Sequence, residues 1–322
     1  MRIQSNVFAL LGALAFLTAH RSFAQEKASP PDVMRVVFLG DSITHSGGYI
    51  DAIETALIAQ YPERRIELLN LGLPSETTSG LSEPGHAGGQ FPRPDLHERL
   101  QRVLEQTKPD LVIACYGMND GIYYPLSDDR FARFKSGIER LHSAVESRGA
   151  KIIHLTPALF DPVPIKSRLL PAGLDSYSQP YEGYDDVLEA YSQWLLSRKA
   201  DGWQVLDVHG AFKQALAEKR KDAPNFTFAG DGVHPNAEGQ VVLAAPLAAA
   251  WGLKLEPNGL PAHPRAKEIQ ALVHEKQNTL KLAWLTLTKH VRPGIAAGLP
   301  LEQAQAKAAK LDAEAREFVE LK

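Results

Sequence analysis

Late in the chain, Asp231-Gly232-Val233-His234 sets a carboxylate and an imidazole three residues apart on one tight segment. An imidazole titrates near neutrality and can take and return a proton. A carboxylate accepting its other ring N–H fixes the tautomer. Such a pair becomes useful beside a hydroxyl, which is a weak nucleophile until a base removes its proton. Ser42 has a suitable setting. The apolar run Val36-Val37-Phe38-Leu39 stops at Gly40-Asp41-Ser42 and a helical pattern follows. Free N–H groups and the helix dipole favour negative charge at such a corner. A tetrahedral intermediate would also need donors for its oxyanion. The backbone N–H of Ser42, the backbone N–H of Gly72 and the side-chain amide of Asn119 suit that role. Taken singly, each residue has a plainer reading. Ser42 serves as a helix cap, Gly72 as a turn glycine, and Asn119-Asp120 as a strand-ending turn. Asp231 and His234 read alone as a surface pair or half of a metal site.

These residues need elements to bring them together. Short apolar, β-branched runs at Arg35–Leu39, Ile66–Leu71, Leu111–Tyr116, Lys151–Thr156 and Gln204–Val208 read as strands. Helical periods lie between and after them, at Tyr49–Gln60, Asp95–Thr107, Asp129–Ser147, Tyr184–Arg198 and Ala237–Trp251. That alternation predicts an α/β fold, a central five-stranded parallel sheet covered by helices on both faces. Sites in such folds lie beyond the C-terminal ends of the strands. Gly40-Asp41-Ser42, Asn70-Leu71-Gly72 and Gly117-Met118-Asn119-Asp120 each follow a strand, and Asp231–His234 precedes the helix at Ala237. Two long connections, Pro74–Pro94 and Leu159–Pro180, are expected to form the rim of a cleft. Beyond Trp251 comes a proline-containing linker, then amphipathic helices at Lys267–His290 and Leu301–Leu321. This tail shows nothing resembling a site and is expected to pack on the main domain or to support oligomerisation.

Taken as a set, the four blocks resemble the SGNH hydrolases, also called the GDSL esterase/lipase family. The namesake residues would be Ser42, Gly72, Asn119 and His234. The family's GxND stands whole as Gly117-Met118-Asn119-Asp120 and its DxxH as Asp231-Gly232-Val233-His234, while the first block reads GDSI in place of GDSL. The resemblance covers Arg35 to Trp251. It implies the flavodoxin-like three-layer α/β/α sandwich, with catalytic Ser42, Asp231 and His234 and an oxyanion hole of Ser42, Gly72 and Asn119. Asp41 and Asp120 are read as groups that hold the loops, and no metal or organic cofactor is implied. His45 and His86 lie near the expected cleft.

Composition bounds the rest. The 322 residues are 44% apolar and 23% charged, with a formal net charge of −3, an ordinary globular balance that argues against nucleic acid as a main partner. Arg2, the apolar run Val7–Leu17 and Ser22-Phe23-Ala24 read as a signal peptide over residues 1–24, cut before Gln25. That places the mature chain outside the cytoplasm, secreted or periplasmic, without membrane insertion. Residues 25–34 read as a tether, 35–253 as the hydrolase domain and 254–322 as the linker and helical extension. The single cysteine, Cys115, lies in the apolar run LVIAC and reads as a buried, inert thiol. The resulting expectation is a secreted serine esterase acting on a small-molecule or carbohydrate ester, removing short acyl groups, acetyl foremost. The alternatives are a lipolytic lysophospholipase, thioesterase or arylesterase, an acyltransferase on the same triad, and a non-catalytic binding module.

Overall fold

The structure is a computed structural model describing residues 28–320. The expected signal peptide lies outside the described residues. Five strands form one parallel sheet: β1 (Arg35–Gly40), β2 (Glu67–Asn70), β3 (Leu111–Cys115), β4 (Lys151–Leu155) and β5 (Gln204–Leu206). Their order is β2-β1-β3-β4-β5. Val36–Leu39 and Val112–Ile113 are almost wholly buried, because helices cover both faces of a parallel sheet and leave no strand face for water. The chain leaves β1 toward β2 and returns across it to β3. Strand order therefore reverses between β1 and β3, which opens a crevice beyond their C-terminal ends.

The helices begin where the sequence supplies caps. Asp41 caps α1 (Ser42–Ser46), and Gly47, at φ 83°, turns the chain into α2 (Gly48–Gln60). Asp95 caps α3 (Leu96–Thr107) and Ser127 caps α4 (Asp128–Glu146). Then come α5 (Tyr184–Ser197), α6 (Val208–Asp222) capped by Asp207, and α7 (Ala237–Ala250) capped by Asn236. Each capping side chain accepts an N–H that the first turn leaves unpaired. The strands and the helices through α7 match the sequence reading to within a residue or two. Helix α6 was not anticipated. The strand reading ran on to Val208 and absorbed Asp207, although Val208, Phe212 and Leu216 at four-residue spacing carry its buried face.

The C-terminal extension forms α8 (Ala266–Leu287) and α9 (Leu301–Glu320), which pack on each other and on α2, α8 also covering β2. Gln277 Nε2 donates to Leu68 O of the edge strand at 2.9 Å and to Glu54 Oε2 at 2.6 Å. Lys276 Nζ lies 2.7 Å from both Glu54 and Asp312. A strand edge left open would expose unpaired backbone groups; here a helix lies against it.

One buried ion pair fixes the loop that leaves β2. Arg99 on α3 is 1% exposed and Glu76 is fully buried. The guanidinium meets both Glu76 oxygens at 2.6 and 2.7 Å and donates to Leu71 O at 2.8 Å, while Tyr116 OH donates to Glu76 Oε2 at 2.6 Å. Glu76→Ala strands a buried cation, a change that typically destabilises by about 3–5 kcal/mol. Urea denaturation should show a loss of that size, and a loss below about 1 kcal/mol would mean that the pair holds nothing in place.

Candidate active site

The corner after β1 brings Ser42 to the DxxH segment. Ser42 Oγ and His234 Nε2 are 2.7 Å apart, and His234 Nδ1 and Asp231 Oδ2 are 2.7 Å apart. A carboxylate can only accept, so Nδ1 carries the hydrogen and Nε2 is left to accept from the serine hydroxyl. The other Asp231 oxygen accepts the backbone N–H groups of Val233 and His234 at 2.9 and 2.8 Å. Burial raises the Asp231 carboxyl, but the His234 N–H and ring and the Val233 N–H outweigh it, and the net shift is downward. Gly232 makes the tight segment possible: its φ is 82°, and a Cβ there would lie 2.7 Å from Asp161 O. A hydroxyl aimed at an imidazole that is backed by a carboxylate can pass its proton to the ring as it attacks an electrophile.

The loop after β2 differs from the sequence expectation. The Gly72 N–H already donates to Asn70 Oδ1 at 3.0 Å, so it is not a free oxyanion donor. Glycine is required there for space, since a Cβ would stand 2.4 Å from His45 N and 2.7 Å from Thr44 C. Asn70 also donates through Nδ2 to Thr44 O at 2.8 Å, tying the loop to α1. Three residues on, Ser75 sits in a left-handed turn at φ 69° and is partly accessible. Its N–H has no hydrogen-bond partner among the described residues. Asn119, 4% exposed, places Nδ2 3.4 Å from the carbonyl of Glu76, the residue after Ser75.

Residues 38–242 match the GDSL-like Lipase/Acylhydrolase family. The chain belongs to that family. This places it among the carboxylic ester hydrolases. A comparison with curated proteins gave no match. Among solved structures, the chain resembles a gut microbial diltiazem-metabolizing enzyme at 19% identity and a TM-score of 0.53, over 70% of this chain and 49% of that one. It also resembles a catalytic mutant of an acetylxylan esterase from Geobacillus stearothermophilus at 20% identity and a TM-score of 0.52, over 71% of this chain and 97% of that one. The likeness is one of fold: the parallel sheet with flanking helices.

In this GDSL-like acylhydrolase, side chains around the corner hold the loops. Asp120 Oδ1 accepts from Thr78 N, Thr78 Oγ1 and Ser79 N at 2.7–2.8 Å, joining the loops after β2 and β3. His45 donates from Nδ1 to Gly72 O at 2.9 Å, and burial, helped by nearby Lys281, lowers its pKa to about 4. It is therefore a neutral strut. His86 lies beside Glu83, its ring edge-on to Phe91. The extension also reaches the corner, where Lys281 Nζ donates to His45 O at 2.7 Å. Among the described residues, no group of three or more His, Cys, Asp or Glu is placed to hold a metal ion.

Asp41 caps α1 by accepting Ile43 N–H at 2.9 Å. Burial raises its pKa from 3.8 to about 7, and the Ile43 N–H and His234 pull it down without overcoming that. Between those values the native state keeps a proton that the unfolded chain has released. The stability linked to Asp41 is thus fully present below about pH 4 and is lost as pH rises to about 7. Asp41→Asn keeps an acceptor for the cap and removes the titration. Its stability relative to wild type should be higher at pH 8 than at pH 5 in urea unfolding; a difference that does not change with pH would contradict the assignment.

Proposed function

We propose that this acylhydrolase is an exported serine esterase that removes short acyl groups, acetyl foremost, from carbohydrate esters. The observation that carries the chemistry is the run of two 2.7 Å contacts from Ser42 through His234 to Asp231. Ser42 Oγ attacks the ester carbonyl carbon as its proton passes to His234 Nε2. Asp231 steadies the imidazolium. Collapse of the tetrahedral intermediate breaks the bond to the alcohol oxygen, which takes the proton from His234. Water then attacks the acyl-enzyme, giving its proton to His234, and the acid leaves as Ser42 Oγ recovers that proton.

The negative oxygen of each tetrahedral intermediate is received by Asn119 Nδ2 and the N–H groups of Ser42 and Ser75. Ser75 takes the place in this proposal that the sequence reading gave to Gly72. The short-acyl, carbohydrate part of the reading is supported by the resemblance to an acetylxylan esterase and by the polar composition of Pro74–Pro94. Export is supported by the character of residues 1–24.

Ser42→Ala should abolish hydrolysis of p-nitrophenyl acetate while unfolding as the wild type does; retained turnover would defeat the mechanism. Along a chain-length series of p-nitrophenyl esters, activity should fall beyond about C4, as a pocket shaped for a short acyl group rejects longer ones. A preference for C8 or longer would make the enzyme lipolytic instead. N-terminal sequencing of the exported protein should begin at Gln25.

A further inference from the structure

The loop leading to α3 carries a charge into the site that the mechanism above leaves unused. Arg93 is 8% exposed. Its Nε and Nη2 form a two-pronged pair with Glu83, each at 2.6 Å. Its guanidinium carbon stands 5.3 Å from the centre of the Tyr123 ring. The third prong, Nη1, donates to Asn119 Oδ1 at 2.9 Å, and Tyr123 OH faces the same oxygen at 3.3 Å.

An asparagine amide has two ends of nearly equal shape and opposite hydrogen-bonding character. A guanidinium has donors and no acceptor, so only the Asn119 oxygen can face Arg93. Reversing the amide would set N–H against N–H. Nδ2 is therefore turned the other way, toward Glu76 O and the turn whose Ser75 N–H is free. A charge-assisted bond at the oxygen also draws electron density from the amide and strengthens the opposite N–H as a donor. Glu83 alone neutralises Arg93, so the third prong is not needed to pair the buried charge.

We propose that Arg93, clamped by Glu83, is a positioning residue that locks the Asn119 amide with its N–H toward the oxyanion. This rests on the serine mechanism proposed above. The test is a double-mutant cycle on p-nitrophenyl acetate using Arg93→Met, Asn119→Ala and the pair, with Ser42→Ala as blank. Losing one oxyanion donor typically lowers turnover by about 10²–10³-fold. Arg93→Met should therefore lower kcat by about 10²-fold, with KM within about threefold. In the Asn119→Ala background the same change should cost less than about threefold, because coupled residues are non-additive. Arg93→Lys, which can still donate to Oδ1, should recover at least about fivefold of the lost turnover.

Should Arg93→Met fail to fold, Tyr123→Phe serves in its place. It removes one donor to Oδ1 and should slow wild-type turnover several-fold but leave Asn119→Ala unaffected. Losses that multiply in the cycle, or an Arg93→Met kcat within twofold of wild type, would overturn the assignment. The two readings fail separately. Turnover by Ser42→Ala sinks the serine mechanism, whereas an inactive Ser42→Ala beside a fully active Arg93→Met sinks only the role of Arg93.

Discussion

Helix α1 lies so low over the strand ends that two positions beneath it must lack a Cβ. A Cβ on Gly40 would come within 2.2 Å of Thr44 Oγ1, and one on Gly72 within 2.4 Å of His45 N. Gly40 ends β1 and Gly72 lies two residues past the end of β2, so the helix is seated across the end of β1 and the loop that leaves β2. Asn70 then binds Thr44 O and Gly72 N together, and His45 returns a bond to Gly72 O. This close approach sets where Ser42 emerges. Ser42 Oγ stands 2.7 Å from His234 Nε2, so a shift of about 1 Å at α1 would take the hydroxyl out of hydrogen-bond reach of the imidazole, and backbone space beneath the helix sets that distance.

Polar composition makes Pro74–Pro94 look like a loose rim. Its charges instead turn inward. Glu76 meets Arg99 beneath the loop, Glu83 meets Arg93 beside Asn119, and Asp120 gathers the backbone at Thr78 and Ser79. Buried pairs of this kind contribute little net stability when compared with apolar packing, because both charges are desolvated. They do confer direction, since a guanidinium fork and a carboxylate accept only a few relative geometries. A loop that must present single donors to a reacting atom gains more from direction than from stability.

What the sequence made legible was local. Strand runs, helical periods and the three-residue Asp231–His234 spacing all depend on neighbours in the chain, and the structure places the strands and the helices through α7 within a residue or two. The family pattern carried the long-range pairing of Ser42 with His234, which no periodicity could supply. Gly72 shows the limit. A glycine after a strand fits either a donor or a gap, and only the position of α1, 27 residues away in the chain as the His45–Gly72 bond measures it, decides for the gap. Ser75 gave no composition signal because its left-handed φ and free N–H are properties of the turn. Helix α6 was missed through a boundary: once Val208 was assigned to β5, its cap and first apolar residue were hidden.

The C-terminal extension shows how an element without site residues can still shape a site. Its amphipathic stripe specifies only that it packs, and the surface it takes is the open edge at β2. Once α8 lies there, Gln277 meets Leu68 O and, one turn later, Lys281 meets His45 O. Further on, Arg292 lies 5.1 Å from the centre of the Phe91 ring, on the same loop that carries Arg93. Edge protection and support of the corner thus follow from one docking event. The edge strand β2 ends in the loop that seats α1, so an element recruited to cover that edge is held within reach of both the helix that carries Ser42 and the loop that carries Arg93.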